Sequence, residues 1–324
     1  MDYNSYINYL YTKWKNGKNL SIQEKMDIIV YQLNDPFVQE IIKRDSPNYS
    51  VEVLADSIPI GVSLNPDSPF RLITLQLKNP RFFHSELMTH KNFSRNAKSS
   101  RAIPIKAEIN RILKNPAIPI FWGKNQSGMQ AKEELEGRDL SEAKARWLEA
   151  MDKSISMALH MDKLGVHKQT VNRILEPYQL MEVVFTGNYE SYLDMLMLRL
   201  HKAAQPEFIK LAYMIFEEIV KAEKLKNTNY HLPYMDLELR TLLMQDVLTI
   251  EDVKNICMAR CARVSYKSFD GSVSYEKDLE LVNKLIDVAP PHASAAEHVA
   301  EAGELNVQYA NLNSWINCRT ERGI

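Results

Sequence analysis

The chain has 324 residues, of which 45% are hydrophobic and 25% are charged, and its formal net charge is −1. This composition is typical of a globular protein, and the length suffices for one large domain or two smaller ones with a buried core. The near-zero charge excludes a protein that is basic throughout, such as a nucleic-acid coating protein, but it leaves room for a local basic site. No apolar run is long enough to predict a membrane span, and the first residues lack the pattern of a secretory signal.

The cysteine content predicts a reducing environment. Cys257, Cys261 and Cys318 are too few for a disulfide scaffold, and they lack CxxC spacing. We therefore expect a cytoplasmic protein.

The N-terminal part of the chain predicts helices followed by strands. Residues 1–44 are expected to form two short amphipathic helices, with Ser21 and Glu24 as a capping box at the start of the second. Residues 51–77 then have the pattern of strands, and residues 72–77 alternate as a half-buried strand does.

The middle of the chain predicts helices separated by polar segments. A helix is expected to begin within residues 82–91, whereas residues 92–103 are too polar for a core element. A short helix is predicted from Glu108 to Leu113. Residues 121–137 are predicted to form a long loop, and loops of that length in a compact domain are usually functional or disordered. A long helix is predicted from Asp139 to Leu164, with Asp139 as its N-cap.

The C-terminal part completes a mixed pattern. No linker is rich enough in Gly and Ser to separate independent domains, so we expect an α+β or α/β chain with a single interlocked core. The predicted segments are a helix from Pro206 to about Lys224, a polar connector over 225–235, a helix near 251–261, a strand at 262–266, a helix near 275–287 and a turn at Pro290-Pro291.

Positive charge is concentrated in one segment, where only Glu86 and Glu108 oppose it. Arginines, lysines, serines and backbone N–H groups at this density suit a phosphate. Two alternatives stay open: a solvated Ser- and Asn-rich loop, and a polynucleotide site, for which Phe93 is almost the only interleaved aromatic residue. The basic residues are Arg71, Lys78, Arg81, Lys91, Arg95, Lys98, Arg101, Lys106, Arg111 and Lys114.

Two further groups could carry chemistry. Arg199 lies among leucines and methionines, where a permanent cation is costly unless an anion partners it. That anion could be a ligand, or it could be Asp194 or Glu207 in a salt bridge. The group His292, Glu297 and His298 contains metal-ligand types, but its spacing is not HExxH, so no zinc site is expected.

Taken together, these groups resemble the flavin-dependent thymidylate synthase family, ThyX. Its signature R-H-R-x-x-S-x-N-E-x-S-x-R falls without a gap on residues 89–101. Residues 173–177 are similar to its R-x-x-L-P motif, and Asn188, Arg199 and residues 204–207 are similar to its N…LR…AQ-x-E stretch. Residues 262–266 (ARVSY) and 292–298 resemble its ARVSY and H-x-[ST]-P-x-EH segments.

The order of these motifs differs from the common family order. The last two segments come first in most of the family, so the chain resembles a circular permutation, as in a phage and bacterial subgroup. The resemblance implies a mixed α/β fold in the α+β class, with a central, mostly antiparallel sheet flanked by long helices. It divides the chain into an N-terminal helical extension, residues 1–50, and a catalytic domain, residues 51–324. The expected location is the cytoplasm, or the host cytoplasm for a phage protein.

The resemblance also implies a reaction. Such enzymes transfer a one-carbon unit from methylenetetrahydrofolate to C5 of dUMP, giving dTMP, with FAD-mediated reduction by NADPH and no cysteine nucleophile. They are usually homotetramers with sites at subunit interfaces. No metal, membrane or nucleic-acid partner is expected.

Site residues follow from the motif positions. Arg199, Ser99 and His292 are the expected catalytic residues, Arg199 as a cation that stabilises negative charge on the pyrimidine. The expected FAD contacts are His90, Lys91, Asn188, His292, Ser294 and Glu297. The expected substrate contacts are Glu86, Ser99, Ser100, Arg101, Arg173 and Arg199.

Departures from the motif leave the substrate open. Thr89 and Lys91 replace two family arginines, Ala97 replaces a glutamate, and Glu86 replaces a glutamine. Because Glu86 could accept a hydrogen bond from an exocyclic amine, dCMP as the substrate, or transfer of a hydroxymethyl group, is an alternative. A further alternative is that the chain is an inactive relative of these enzymes that binds nucleotide or nucleic acid. Arg319 could replace part of the missing charge or simply face solvent.

Overall fold

A five-stranded sheet forms the centre of the molecule. The computed structural model describes residues 2–265, 274–286, 288–289 and 291–324. The strands are β1 (Ser50–Ile58), β2 (Leu72–Pro80), β3 (Ser94–Ala97), β4 (Leu180–Asn188) and β5 (Leu225–Asn227). Their spatial order is β3-β4-β2-β1-β5, and every pair is antiparallel except β1 and β5. The predicted α+β class with a mostly antiparallel sheet is confirmed.

Short strands near the C-terminus add two small sheets. One has three strands in the order β10-β7-β6, and the other is a hairpin of β8 and β9. These strands are β6 (Tyr230–His231), β7 (Ala300–Ala302), β8 (Gln308–Tyr309), β9 (Leu312–Asn313) and β10 (Trp315–Asn317).

Helices cover both faces of the central sheet. Ile73, Leu75 and Leu77 of β2 pack against helices on one face, whereas Val184 of β4 packs against a second helical group on the other. The first group comprises α1 (Tyr3–Lys15), α2 (Ile22–Leu33), α8 (Tyr189–Arg199) and α9 (Pro206–Lys221). The second comprises α10 (Leu237–Met244), α11 (Ile250–Ala262) and α12 (Tyr275–Leu285). The other helices are α3 (Pro36–Lys43), α4 (His84–Leu87), α5 (Ile105–Lys114), α6 (Gly137–Lys163), α7 (Lys168–Val171) and α13 (Cys318–Arg322).

The N-terminal helices share the main core. Ile7 and Ile28 belong to the same buried cluster as Ile73, and Lys25 forms ion pairs of 2.8 Å with Glu190 and 2.7 Å with Asp194 on α8. Three helices occur where two were predicted, and the capping box of Ser21 is confirmed. The division of the chain at residue 50 stays a prediction.

Two predictions about polar segments are wrong in part. Residues 94–97 form edge strand β3, although the segment was judged too polar, because an edge strand needs only one partner and its Ser and Asn side chains find polar contacts. Residues 225–235 contain β5 and β6 rather than a featureless connector. Both strands are short and are fixed by neighbours distant in sequence.

Other boundaries differ because the ends of helices depend on local backbone geometry. Helix α6 begins at Gly137, so Asp139 lies in its first turn, and the N-cap residue, Glu136, makes no side-chain cap. Helix α9 ends at Lys221, because Ala222 adopts a left-handed φ of 50°. In residues 82–91 the only α-helix is α4, which follows a 3₁₀ turn at Arg81–Phe83.

The predicted strand at 262–266 is also wrong over its described part. Helix α11 continues to Ala262, and residues 263–265 form a turn. Tyr266, residue 287 at the end of the predicted last helix and Pro290 of the predicted turn lie outside the described residues.

A fully buried polar chain crosses the sheet, and we call it the histidine chain. His231 Nδ1 lies 2.9 Å from Ser57 Oγ, and His231 Nε2 lies 2.7 Å from Thr74 Oγ1. Thr74 Oγ1 is 2.6 Å from Thr186 Oγ1, which is 2.8 Å from His298 Nδ1. Because all five side chains are inaccessible to solvent, these contacts satisfy groups that would otherwise be costly to bury. His298 Nε2 has no partner among the described residues.

Candidate active site

Strand β3 organises the motif over residues 89–101. It pairs with β4 from Ser94 opposite Thr186 to Ala97 opposite Val183. Residues 89–90 therefore lie before one end of an anchored strand, and residues 99–101 lie after the other. The two ends of the motif take part in two separate polar clusters.

The first is the arginine cluster, formed by Glu86, Thr89, His90 and Arg199 at the end of α8. Arg199 Nε donates to His90 Nε2 at 2.9 Å, Nη2 donates to Thr89 Oγ1 at 3.0 Å, and Nη1 donates to Glu86 Oε2 at 3.2 Å. The guanidinium carbon lies 4.6 Å from the centre of the Phe208 ring, within range of a cation–π interaction. Arg199 is thus held on three sides by groups that are distant in sequence.

The anion expected for Arg199 is therefore Glu86. The two acids that the sequence offered have other contacts: Asp194 pairs with Lys25, and Glu207 accepts from the backbone N–H of Ile120. Arg199 does form a salt bridge, but the predicted partners, Asp194 and Glu207, are wrong.

The electrostatics of this cluster keep His90 neutral. Burial, followed by the nearby charges of Arg199 and Arg95, lowers the pKa of His90 to about 4. A neutral imidazole leaves Nε2 free to accept from Arg199. Burial also lowers the pKa of Arg199, and Glu86 opposes that shift, but a guanidinium stays charged in proteins. The site therefore presents a fixed cation at neutral pH.

Arg199 and Glu86 line a cavity of about 470 Å³. Met129 and Gln130 of the long loop also line it. The base of this loop is fixed, because Arg44 donates to Glu134 Oε1 at 2.7 Å and to the Ile120 carbonyl at 2.8 Å. Ligand pockets have volumes in this range.

The second is the anion cluster, formed by Arg81, Ser100, Arg173 and Glu176. Glu176 Oε1 lies 2.8 Å from Arg173 Nη1, 2.9 Å from Arg81 Nη2 and 3.1 Å from Ser100 Oγ. Asn172 fixes the main chain here by donating to the carbonyls of Ser100 at 2.7 Å and Ile103 at 3.0 Å.

Ser99 and Arg101 flank this cluster differently. The N–H of Ser99 donates to Ser265 Oγ at 3.0 Å, which links the motif to residues 263–265. Arg101 is exposed. The structure thus brings Ser99, Ser100 and Arg173 into one neighbourhood, with Arg101 beside them on the surface.

Residues 292–297 lie against the free edge of β3. Ser294 Oγ donates to Asn96 Oδ1 at 3.2 Å, and His292, at the start of the 3₁₀ helix Ala293–Glu297, is exposed. Glu297 accepts from Arg319, so Arg319 does contact a predicted site residue. Lys91 is exposed.

Asn188 is placed differently from the other predicted FAD contacts. It is buried, and its amide bonds the main chain of Asn313 in both directions: Oδ1 accepts at 2.8 Å and Nδ2 donates at 3.0 Å. In this arrangement its side chain joins β4 to β9.

Sequence reasoning missed several members of these clusters. Arg81 was counted only as one basic residue among ten, and Glu176 was passed over inside its motif. Phe208, within the predicted helix from Pro206, was given no role. Arg81 and Phe208 acquire their contacts through the tertiary fold, whereas Glu176 pairs with Arg173 three residues away, a local spacing that could have identified it. Among the described residues no group of three or more His, Cys, Asp or Glu side chains could hold a metal ion.

The cysteines lie away from both clusters. Cys257, Cys261 and Cys318 are buried in the core around α11. Burial raises the pKa of Cys257 and of Cys318 to about 12, and it raises that of Cys261 as well. A buried thiol that stays protonated is a poor nucleophile. No helix in the described part of the chain is long and apolar enough to span a membrane.

The chain matches one protein family. The profile described as "Thymidylate synthase complementing protein" (Thy1) matches residues 62–223, which run from before β2 to just after α9. This segment contains both polar clusters. It ends before residues 262–298, so the likeness of those segments to family motifs stays a prediction. No curated protein sequence matches the chain.

Two solved structures are similar to parts of the chain. One is a UMP/dUMP methylase, PolB from Streptomyces cacaoi, bound with 5-Br dUMP, at 13% identity and a TM-score of 0.42 over 56% of this chain and 92% of that chain. The other is the same methylase bound with 5-Br UMP, at 14% identity and a TM-score of 0.40 over the same shares.

Proposed function

The chain belongs to the thymidylate synthase complementing protein family and is an enzyme of the thymidylate synthase type, and on that premise we propose its reaction. It transfers a one-carbon unit from methylenetetrahydrofolate to C5 of dUMP, giving dTMP. FAD mediates the reduction, and NADPH is the reductant. The arginine cluster at the 470 Å³ cavity is the observation that carries the proposal.

Arg199 has the chemistry that C5 substitution requires. Activation of C5 places negative charge on the pyrimidine ring, and a preorganised cation in a partly desolvated site stabilises that charge without reorganising. The side chain of Arg199 is only 18% exposed, and its orientation is fixed by His90 and Thr89. The single opposing carboxylate, Glu86, leaves the guanidinium able to bond a further acceptor.

The anion cluster suits the 5′-phosphate of the substrate. The Ser100 hydroxyl is a small donor and the Arg173 guanidinium is a charged one, and both contact the same oxygen of Glu176. Ser99 and Arg101 are adjacent to Ser100 in the chain. We assign these four residues to the phosphate. A nucleoside that lacks the phosphate should therefore bind poorly.

The state of the cysteines supports a route without an enzyme thiolate. All three thiols of the chain are buried in a different core region, so none is available to attack the pyrimidine ring. Arg199 would then provide part of the activation that a thiolate otherwise provides.

The residues at the free edge of β3 fit a flavin in part. Lys91 and His292 are exposed, and their side chains are suitable donors for the diphosphate of FAD, whereas the Ser294 hydroxyl donates to Asn96. Glu297 and His90 are engaged with Arg319 and Arg199, and Asn188 is closed onto Asn313. FAD bound there supplies hydride transfer from NADPH towards the one-carbon unit.

The proposed assembly is a homotetramer with sites at subunit interfaces. Lys91, His292 and Ser294, which are assigned to FAD, are exposed on the surface of one chain rather than enclosed in a pocket. A second subunit that covers them would complete the enclosure that a cofactor site normally has.

A second candidate reaction uses dCMP, or leaves a hydroxymethyl group on the base. The observation that favours it is the position of Glu86, whose carboxylate lines the same cavity as Arg199 and is 37% exposed. A carboxylate accepts from the exocyclic amine of cytosine, whereas it would oppose the carbonyl oxygen of uracil.

The nucleic-acid alternative has less support. The basic segment does not form one surface, because Arg71 is buried against Asp56 and Arg81 contacts Glu176. Arg95 donates to the carbonyls of residues 88 and 90. A polynucleotide site needs such charges to be exposed along a groove.

Product analysis tests the proposal directly. The purified chain, reconstituted with FAD, is incubated with methylenetetrahydrofolate, NADPH and either dUMP or dCMP, and the product mass is determined. We expect flavin absorbance and a product from dUMP with the mass of dTMP. A product from dCMP alone, or a hydroxymethyl mass, would select the second candidate. A colourless protein that cannot be reconstituted with FAD contradicts both.

A further inference from the structure

Three donors converge on one carboxylate oxygen in the anion cluster. Arg173, Arg81 and Ser100 all reach Glu176 Oε1, at 2.8, 2.9 and 3.1 Å. Two guanidinium groups and a hydroxyl around a single oxygen is the arrangement that binds a phosphate oxygen. A carboxylate of the chain itself therefore lies where a ligand oxygen could bind.

Two of the three donors, Ser100 and Arg81, are held in place independently of Glu176. Ser100 is buried, and its carbonyl is bonded by Asn172, whose side chain is inaccessible to solvent. Arg81 follows directly on β2, its side chain is 18% exposed, and Nη1 also contacts Met181 Sδ at 3.4 Å. Two of the three donors thus have other contacts that fix them. A ligand that replaced the carboxylate would find them already in place.

The charges favour a dianion over the internal carboxylate. Glu176 brings one negative charge against the two positive charges of Arg81 and Arg173, and exposed Arg101 lies next to Ser100 in the chain. The cluster therefore keeps a net positive charge while Glu176 occupies it. A phosphate monoester, with nearly two negative charges at neutral pH, balances that charge more fully.

We propose that Glu176 is an internal competitor that occupies the phosphate subsite of the free enzyme, and that Arg81 donates to the substrate phosphate once Glu176 has withdrawn. The inference rests on the proposed function, because it concerns the site assigned there to the 5′-phosphate. It makes Glu176 and Arg81 determinants of selectivity for phosphate monoesters. A ligand with one negative charge interacts too weakly with the two arginines to displace the carboxylate, and a nucleoside has no charge with which to displace it.

An opposite role for Glu176 predicts the opposite result. If its carboxylate served to position Arg81 and Arg173 for the ligand, removing it would loosen both side chains and weaken phosphate binding. If it competes, removing it strengthens binding. The sign of the change in affinity separates the two roles.

Calorimetric titration of the full chain measures that sign. The titrants are dUMP, inorganic phosphate and deoxyuridine, and the proteins are the parent chain, Glu176→Gln and Arg81→Met. We expect Glu176→Gln to bind dUMP and phosphate about tenfold more tightly, because the cost of breaking a charge-assisted contact is removed. We expect Arg81→Met to bind both about tenfold more weakly, with the affinity for deoxyuridine unchanged in every variant.

A matched control isolates the site from the change in net charge. Glu149 on α6 also pairs with two cations, Arg146 and Lys153, but it is not part of the anion cluster. Glu149→Gln should leave all three affinities unchanged. Glu176→Asp, which shortens the side chain by one methylene, should give an intermediate gain and serves also if Glu176→Gln fails to fold.

Weaker or unchanged binding of dUMP and phosphate by Glu176→Gln and Glu176→Asp would overturn the inference. So would the absence of phosphate binding in both the parent chain and these variants. The proposed reaction can fail separately. If the chain binds no flavin and shows no turnover but Glu176→Gln still binds phosphate about tenfold more tightly, the role of Glu176 stands and the proposed reaction is contradicted. If the enzyme is active but Glu176→Gln shows no gain in affinity, the proposed reaction stands and the role of Glu176 is contradicted.

Discussion

Two regions of the molecule hold histidines whose pKa is lowered by burial, and they differ in what surrounds the ring. His90 lies beside the cation of Arg199 at the wall of a cavity, and its pKa falls to about 4. His231 and His298 lie inside the histidine chain, where burial lowers both pKa values to about 3. Both environments favour neutral imidazole. Only the first leaves a charged neighbour that can reach a ligand.

A histidine pKa that is lowered by burial is therefore not in itself a sign of function. In the histidine chain the hydrogen bonds run between side chains of the protein, so their contribution is to stability. In the arginine cluster, His90 and Thr89 orient a guanidinium that still has capacity for a ligand. Changes in the two regions should therefore affect different measurements.

The largest expected effect is on turnover. Replacing Arg199 with alanine (Arg199→Ala) should lower kcat by about 10²–10³-fold, because one preorganised charge at the reacting ring is lost. FAD binding and the urea-unfolding midpoint should change little, since Arg199 belongs to the ligand cavity and not to the core. Steady-state kinetics and flavin absorbance measure this. Arg199→Lys, which keeps the charge but loses the planar fork, should recover only part of kcat. Loss of FAD with intact dUMP binding would show that the roles are wrongly assigned.

The next largest effect is on stability in acid. Because the pKa values of His231 and His298 are depressed in the folded state, the unfolded chain binds more protons between about pH 6.5 and pH 3. The stability contribution is complete above pH 6.5 and falls as the pH falls. Between pH 7 and pH 5 each histidine should cost about 2 kcal/mol of the free energy of unfolding.

Urea unfolding at pH 7 and pH 5 tests this expectation. His298→Asn, whose amide can still bond Thr186, should be less stable at pH 7 but should lose less stability on acidification than the parent chain. An equal loss in the two proteins would mean that His298 is not buried in its neutral form. A substitution at His160, which is exposed and lies outside the histidine chain, provides the control.

The smallest expected effect comes from a matched pair of threonines. Thr186→Val removes one link of the histidine chain and leaves Thr74 and His298 without that partner, which should cost about 1–3 kcal/mol of stability with no direct effect on the site. Thr89→Val is the same substitution at an exposed position in the arginine cluster. It should change stability by less than about 0.5 kcal/mol while weakening the alignment of Arg199. If Thr89→Val proved the more destabilising, the contrast between the regions would be wrong.

Much of the local structure could be predicted from the sequence. The capping box at Ser21, the helix from Pro206 and the strand from Leu72 are confirmed, because each depends on signals within about 20 residues. The motif spacing over residues 89–101 also identified the family, which the match over residues 62–223 supports independently. Errors occurred at the edge strand β3, where long-range pairing outweighs local pattern, and at residues 262–265, where helix α11 continues to Ala262 and ends in a turn.

For the candidate site as well, some features could be predicted from the sequence and others depend on the fold. The amino-acid sequence shows which residue types are present and predicts that Arg199, among apolar neighbours, requires an anion. That this anion is Glu86, 113 residues away, that Arg81 joins Glu176 in the anion cluster, and that Asn188 bonds Asn313 became evident from the folded chain. The physical reason is that periodicity and capping act within one element. The partners of a charge, in contrast, are set by how strands and helices distant in sequence pack around a common core.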